Sequence, residues 1–181
     1  MPKSARRLSP AARCAVLARR LGIPADYAAT RGLAFHPEAR RLVLAGRAPD
    51  DGKAIRLTPR AAAAWKRMRD AAAVDGIVLL PISGFRSIAR QNRIIRKKLA
   101  DGRSLDSILR YVAAPGYSEH HSGRAIDIGS PEHIELDEHF AKTAAFRWLR
   151  KRAGDFGFTL SYPRRNPYRI GYEPWHWFWQ P

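Results

Sequence analysis

Two short segments hold most of the residues able to do chemistry. One is Ser118-Glu119-His120-His121-Ser122-Gly123-Arg124-Ala125-Ile126-Asp127, and the other, near the C-terminus, is Glu173-Pro174-Trp175-His176. Their residues include two imidazoles, a carboxylate ligand and a spare carboxylate. A hydrolytic zinc centre needs that inventory: three nitrogen or oxygen ligands at about 2.0–2.2 Å and a fourth position left to water. The spare carboxylate then moves protons for that water.

Taken singly, each histidine or aspartate reads as a solvated surface group; the set is what points to a metal. His120 and Asp127 are too far apart to converge within one strand, but Gly123 between them permits a turn. Such a turn folds a loop histidine back beside an outward-facing strand carboxylate. His121 is the less favoured of the adjacent pair. His176 lies among Trp175, Trp177, Phe178 and Trp179, so a structural core histidine is the competing reading. Pro174 interrupts regular pairing between Glu173 and His176. The aromatic shell would raise the pKa of a neighbouring glutamate, which suits a general base. His36, His133 and His139 have no such pattern and read as surface residues. Cys14 is the single cysteine, which excludes an intrachain disulfide and a cysteine-based zinc site. It reads as a small packed residue.

A third segment, Ser83-Gly84-Phe85-Arg86-Ser87, sets a strand end against a helix start. Arg86 there could grip a carboxylate bidentately, and the helix-start amides would add to the anion preference. A structural salt bridge is the alternative.

The elements that must position these groups follow from hydrophobic period and punctuation. Ser9-Pro10 caps and opens a helix ending near Gly22. Residues 22–57 are rich in Pro and Gly and read as loops, with a hairpin pairing 41–44 with 54–57 around Asp50-Asp51-Gly52. A helix begins at Thr58-Pro59, carries the stripe Ala61, Trp65, Met68 and Ala72, and stops at Gly76. Residues 77–82 predict a buried strand. A helix over 87–100 turns Ile88, Gln91, Ile95 and Leu99 to one face, and Arg90, Arg93, Arg96 and Lys97 to a solvated one. A short helix over 104–112, a strand over 125–128 and a helix capped by Thr143 follow, the last with Phe146, Leu149, Ala153 and Phe156 as its core stripe. Two strands, 158–162 and 168–173, complete the pattern. Strands and helices mix without a βαβ rhythm, so the class is α+β.

The 181 residues suit one domain with a core, given 45% hydrophobic residues. Thirty-three Lys and Arg against sixteen Asp and Glu give a formal charge of +17, which attracts polyanions: nucleic acid, anionic lipid or an acidic wall polymer. The positives are dispersed and no nucleic-acid-binding motif is present, which speaks against a specific nucleic-acid module. No stretch approaches the roughly 20 apolar residues of a membrane span. The basic start, residues 1–7, is not followed by an apolar core, so no signal peptide is expected.

At the two segments the chain resembles the VanY-type D-alanyl-D-alanine carboxypeptidases, zinc peptidases grouped with lysostaphin and the hedgehog signalling domain. The pattern S-x-H-x-x-G-x-A-x-D is filled by Ser118, His120, Gly123, Ala125 and Asp127, and E-x-W-H by Glu173, Trp175 and His176. The segment from Ser83 to Ser87, with Gln91, is similar to the family's helix start. The resemblance covers roughly residues 58–179; the first 57 match no family pattern and form an N-terminal extension, expected to pack on a catalytic domain of residues 58–181. It implies a small α+β domain whose antiparallel sheet carries the metal. It implies that His120, Asp127 and His176 bind Zn²⁺, that Glu173 is the catalytic base, that Arg86 holds a substrate carboxylate, and that Ser118 lines the same site. It further implies peptidoglycan stem peptides as substrates, often losing a terminal D-alanine by D,D- or L,D-cleavage, and a place in the cell envelope or periplasm. The basic surface could draw the protein to anionic wall polymers. A phage-type endopeptidase and a non-catalytic zinc-containing binding domain are the alternatives.

Overall fold

A computed structural model describes residues 8–181, so the basic start at residues 1–7 lies outside the described residues. Helix α1, Pro10–Arg20, begins as its capping pair predicts: Ser9 Oγ accepts from the Ala12 amide at 3.2 Å. The short helix α2, Tyr27–Arg31, ends on Gly32 in the left-handed conformation. Strands β1, Val43–Arg47, and β2, Ala54–Leu57, form an antiparallel hairpin whose first strand runs over 43–47 rather than the expected 41–44, with Val43 opposite Leu57. Helix α3, Pro59–Val74, buries Ala61, Trp65, Met68 and Ala72 completely.

Strand β3, Leu80–Ser83, leads to helix α4, Ile88–Ala100, capped by Ser87 Oγ, and to the short helix α5, Leu105–Leu109, capped by Ser104. A 3₁₀ turn, Glu119–Ser122, precedes strand β4, Ala125–Gly129. Helix α6, Ala144–Arg152, starts at Thr143, whose Oγ1 accepts from the Phe146 amide at 3.1 Å. Strands β5, Phe158–Leu160, and β6, His176–Trp179, close the chain. The main sheet is antiparallel throughout, in the order β3-β4-β6-β5. The class is α+β, as expected.

Strand alternation divides the sheet's two faces. Ile126 and Ile128 of β4, Trp177 and Trp179 of β6 and Phe158 of β5 pack with α3 and α6 in the larger apolar cluster. Each Leu, Ile, Phe or Met fully buried there contributes about 1.5–3 kcal/mol of transfer free energy. Asp127 and His176 alternate out of that layer onto the opposite face. A second cluster, from Leu21, Ile23, Tyr27, Ile95, Ile108, Leu109 and Ala114, joins the N-terminal helices to α4 and α5. Further ties to the first part of the chain are backbone hydrogen bonds. His36 donates to the Gly116 carbonyl at 2.7 Å, Ala39 to that of His121 at 2.8 Å and Thr58 to that of Gly123 at 2.8 Å.

Two further expectations are corrected. Only the second half of 77–82 is strand, because Leu80 is already paired with Gly129, the last residue of β4, and no partner continues beyond it. Segment 168–173 is irregular rather than a strand. Arg165 before it and Arg169 within it take positive φ, and the Asn166 amide ties the loop by donating to the carbonyls of Pro163 and Ile170. The fourth strand of the sheet is instead β6, which begins at His176.

Candidate active site

The candidate site residues assemble on the sheet face turned away from α3 and α6. Asp127 stands opposite His176 in the β4–β6 register and opposite Ser83 in the β3–β4 register. His120 arrives from the 3₁₀ turn, folded back as the spacing predicts. Gly123 ends that turn at φ 64°, and a Cβ there would come within 2.9 Å of Leu42 Cδ2. Glycine is therefore required by both conformation and space.

One ligand atom from each of His120, Asp127 and His176 falls within a 4.8 Å cluster, and all three residues are buried. His120 Nε2 lies 3.2 Å from Asp127 Oδ2, and His176 Nδ1 lies 3.1 Å from Asp127 Oδ1. Ligand atoms on a tetrahedral zinc with bonds of about 2.0–2.1 Å stand roughly 3.3 Å apart. The three donors thus fit a zinc ion in type, and the Asp127 carboxylate already lies at that distance from both imidazoles.

Each histidine is aimed by its other nitrogen. His120 Nδ1 donates to the Gly84 carbonyl at 2.6 Å. Gly84 itself packs tightly against β2 because it has no Cβ; one there would meet the Arg56 carbonyl oxygen at 2.7 Å. His121, buried on the other side of the turn, donates from Nδ1 to the Arg86 carbonyl at 2.6 Å and accepts the Gly116 amide at Nε2. Burial drives its pKa down to about 4, so it is a neutral structural tie, in keeping with its lesser standing in the sequence.

Electrostatics separate the two carboxylates of the pair that matters. Burial alone would raise Asp127, but His120 and His176 against it hold it well below the usual carboxylate range. Glu173 is compensated less. Burial lifts its pKa to about 8, with the nearby charge of Asp127 adding to the rise and His176 and Arg86 opposing it. A carboxyl near that value can both take and return a proton at neutral pH. It sits at the turn into β6, where its carbonyl accepts the His176 amide at 3.1 Å, and Oε2 is 3.9 Å from His176 Nδ1.

Arg86 lines the same cleft, of about 460 Å³, with Ser118, Tyr162 and Trp175. Its guanidinium donates to Gln91 Oε1 at 3.2 Å and approaches Asp127 Oδ2 at 3.9 Å. Gln91 is itself fixed by donating to the Ala113 carbonyl at 2.6 Å. Ser118 is buried and contributes its carbonyl to the turn that carries His120, accepting the His121 amide at 3.1 Å.

The structure also brings in a residue that the sequence did not single out. Glu119 Oε2 lies 2.8 Å from His176 Nε2 and accepts from Ser161 Oγ at 2.7 Å. With Asp127 on its other nitrogen, His176 is bracketed by carboxylates. Burial opposes its charge, but the two acids outweigh it and raise the pKa to about 10. A divalent cation competes with the proton so held. His36, expected at the surface, is half-buried with its ring 5.8 Å from that of Phe178, while His139 is exposed and His133 half-buried beside Asp137.

Comparison with known proteins identifies the family and the fold. The family model for VanY, D-alanyl-D-alanine carboxypeptidase, matches residues 54–181. The Bacillus subtilis protein YodJ is 39% identical over 119 residues, which is 64% of this chain but 43% of YodJ, so the chain spans less than half of that relative. A structure of the LD-carboxypeptidase LdcB is 34% identical and superposes with a TM-score of 0.72, covering 78% of this chain and 69% of LdcB. A variant of the D,D-pentapeptidase VanY from a VanB-type vancomycin resistance cassette, in complex with Zn(II), is 25% identical with a TM-score of 0.60 over 82% of this chain and 87% of that one. By sequence, fold and the geometry of its buried donors, the chain belongs to the VanY D-alanyl-D-alanine carboxypeptidase family.

Proposed function

We propose that this protein is a zinc-dependent carboxypeptidase that removes the terminal D-alanine of peptidoglycan stem peptides. The observation that carries the reading is one buried cluster: His120, Asp127 and His176 within 4.8 Å, with the proton-holding Glu173 and the cation of Arg86 on the same cleft. The relatives support both halves of it, zinc in the VanY variant and LD-carboxypeptidase action in LdcB.

In this reading His120, Asp127 and His176 hold the metal. When bound, zinc supplies a Lewis acid that activates water and polarises the scissile carbonyl. Glu173 accepts the proton of the attacking water at its carboxylate and passes it to the leaving amine. Its burial beside Trp175 and Tyr162 keeps competing solvent away. Arg86, held in place by Gln91, pairs with the substrate's C-terminal carboxylate, and Ser118 lines the cleft beside it. Of the extension 1–57, the described residues 8–57 support the unit formed by 58–181, and the +17 charge would hold the enzyme near anionic wall polymers of the cell envelope. No helix of the described residues is long and apolar enough to cross a membrane.

Mass spectrometry of a stem peptide after digestion tests the reading. Free D-alanine and a peptide shortened by one residue are expected; internal cleavage products would make the protein an endopeptidase, and no product in the presence of zinc would leave only a binding domain. Arg86→Ala is expected to raise KM about 10- to 100-fold, the worth of a charge-assisted hydrogen bond of about 1.5–3 kcal/mol. That rise should appear with a free C-terminus and largely vanish with an amidated one. Equal effects on both would remove Arg86 from carboxylate recognition.

A further inference from the structure

We propose that Glu119 is a positioning residue for the metal site, fixing His176 through its distal nitrogen so that Nδ1 faces the ion. The inference rests on the metal-site reading above and deepens it. An imidazole offers a metal only one nitrogen, and the hydrogen bond made by the other decides which. His176 Nε2 is taken by Glu119 Oε2 at 2.8 Å, while Nδ1 faces Asp127 at 3.1 Å. Glu119 accepts only from a protonated Nε2, so it selects the tautomer whose free lone pair is on Nδ1.

His120 is arranged in the opposite sense. Its Nδ1 is used on the Gly84 carbonyl, and Nε2 turns inward to Asp127. The two rings meet edge to face, with centroids 4.9 Å apart and planes at 78°. Unlike nitrogens therefore converge on one point, and each depends on its outer partner. Only for His176 is that partner a charged side chain, free to rotate away unless something holds it.

Something does. Ser161 Oγ donates to the same Glu119 oxygen at 2.7 Å, and Ser122 Oγ donates to the Glu119 carbonyl at 2.6 Å, locking side chain and backbone together. The Glu119 side chain is 15% exposed, so water competes poorly for its oxygen. Tyr162 covers the His176 ring at 4.9 Å between centroids. The 3₁₀ turn thus serves twice: His120 of the turn supplies a ligand, and its neighbour Glu119 orients the ligand arriving on β6.

The test is the zinc dissociation constant of protein stripped by a chelator, measured by competition with a chromophoric chelator at fixed pH, with thermal melting in parallel. Relative to the native chain, Glu119→Gln is expected to weaken zinc binding on the order of 10-fold and Glu119→Ala toward 100-fold, the range seen when the outer partner of a ligating histidine is lost. Ser161→Ala should give a smaller shift in the same direction. A glutamate with a merely structural role would lower the melting temperature and leave the zinc constant alone. Zinc constants of Glu119→Gln and Glu119→Ala both within twofold of the native value overturn the proposal while leaving the metal site standing. A native chain that binds no zinc overturns both. Should Glu119→Ala fail to fold, the near-isosteric Glu119→Gln decides alone.

Discussion

Replacing Glu173 by glutamine is expected to lower kcat by about 10²- to 10⁴-fold, the share that a positioned general acid–base contributes, with zinc still bound at one ion per chain. Glutamine fills the same volume at the turn into β6, so the backbone hydrogen bonds of Glu173 with Tyr162 and His176 can persist. What is lost is a carboxyl whose burial holds its pKa near 8 and allows it to pick up a proton and release it within one turnover. KM should change little, because Arg86 and the cleft walls are untouched. Steady-state kinetics with metal analysis of the same sample check this. Retained turnover would take the base role from Glu173, and loss of zinc together with activity would make it a ligand instead.

The second large effect is expected at His176. Its replacement by alanine should drop zinc content well below one per chain and take activity to the background. Asp127 and Glu119 would lose the imidazole they share at 3.1 and 2.8 Å. Asp127 would keep only His120 and the more distant Arg86, and Glu119 only Ser161; breaking a buried ion pair costs about 3–5 kcal/mol, so the variant should also melt earlier. Asp127→Asn separates the two consequences. It keeps the side chain's shape at the centre of β4 but removes the charge that faces His120, His176 and Arg86. Zinc content should fall in it as well. Full zinc in either variant would show that the ion sits elsewhere.

Much of this site could be read in the sequence because its parts are local. His120, Gly123 and Asp127 form one turn-and-strand unit, and the alternation of Ala125-Ile126-Asp127-Ile128 already states which side chain leaves the core. The helices α1, α3, α4 and α6 were legible from capping residues and apolar stripes, since those signals act within a few residues. The failures are long-range or two-sided. Strand β6 shows no polar alternation because both of its faces are buried, so His-Trp-Phe-Trp looks like core without a period. Glu119 carries no mark of its role in the sequence: its partners Ser161 and His176 arrive from far along the chain, through pairings that only the folded sheet creates. Segment 168–173 had the composition of a strand, but the positive φ of Arg169 and the Asn166 side chain close it into a loop.

Zinc titration of the chelator-stripped native protein, followed by D-alanine release, decides whether this cluster is the zinc centre of a carboxypeptidase. The stripped protein is expected to be inactive, and the rate to rise in proportion to added zinc. It should reach its plateau at one ion per chain, held by His120, Asp127 and His176. Full D-alanine release without metal, or a plateau reached with no zinc bound to the protein, would contradict it.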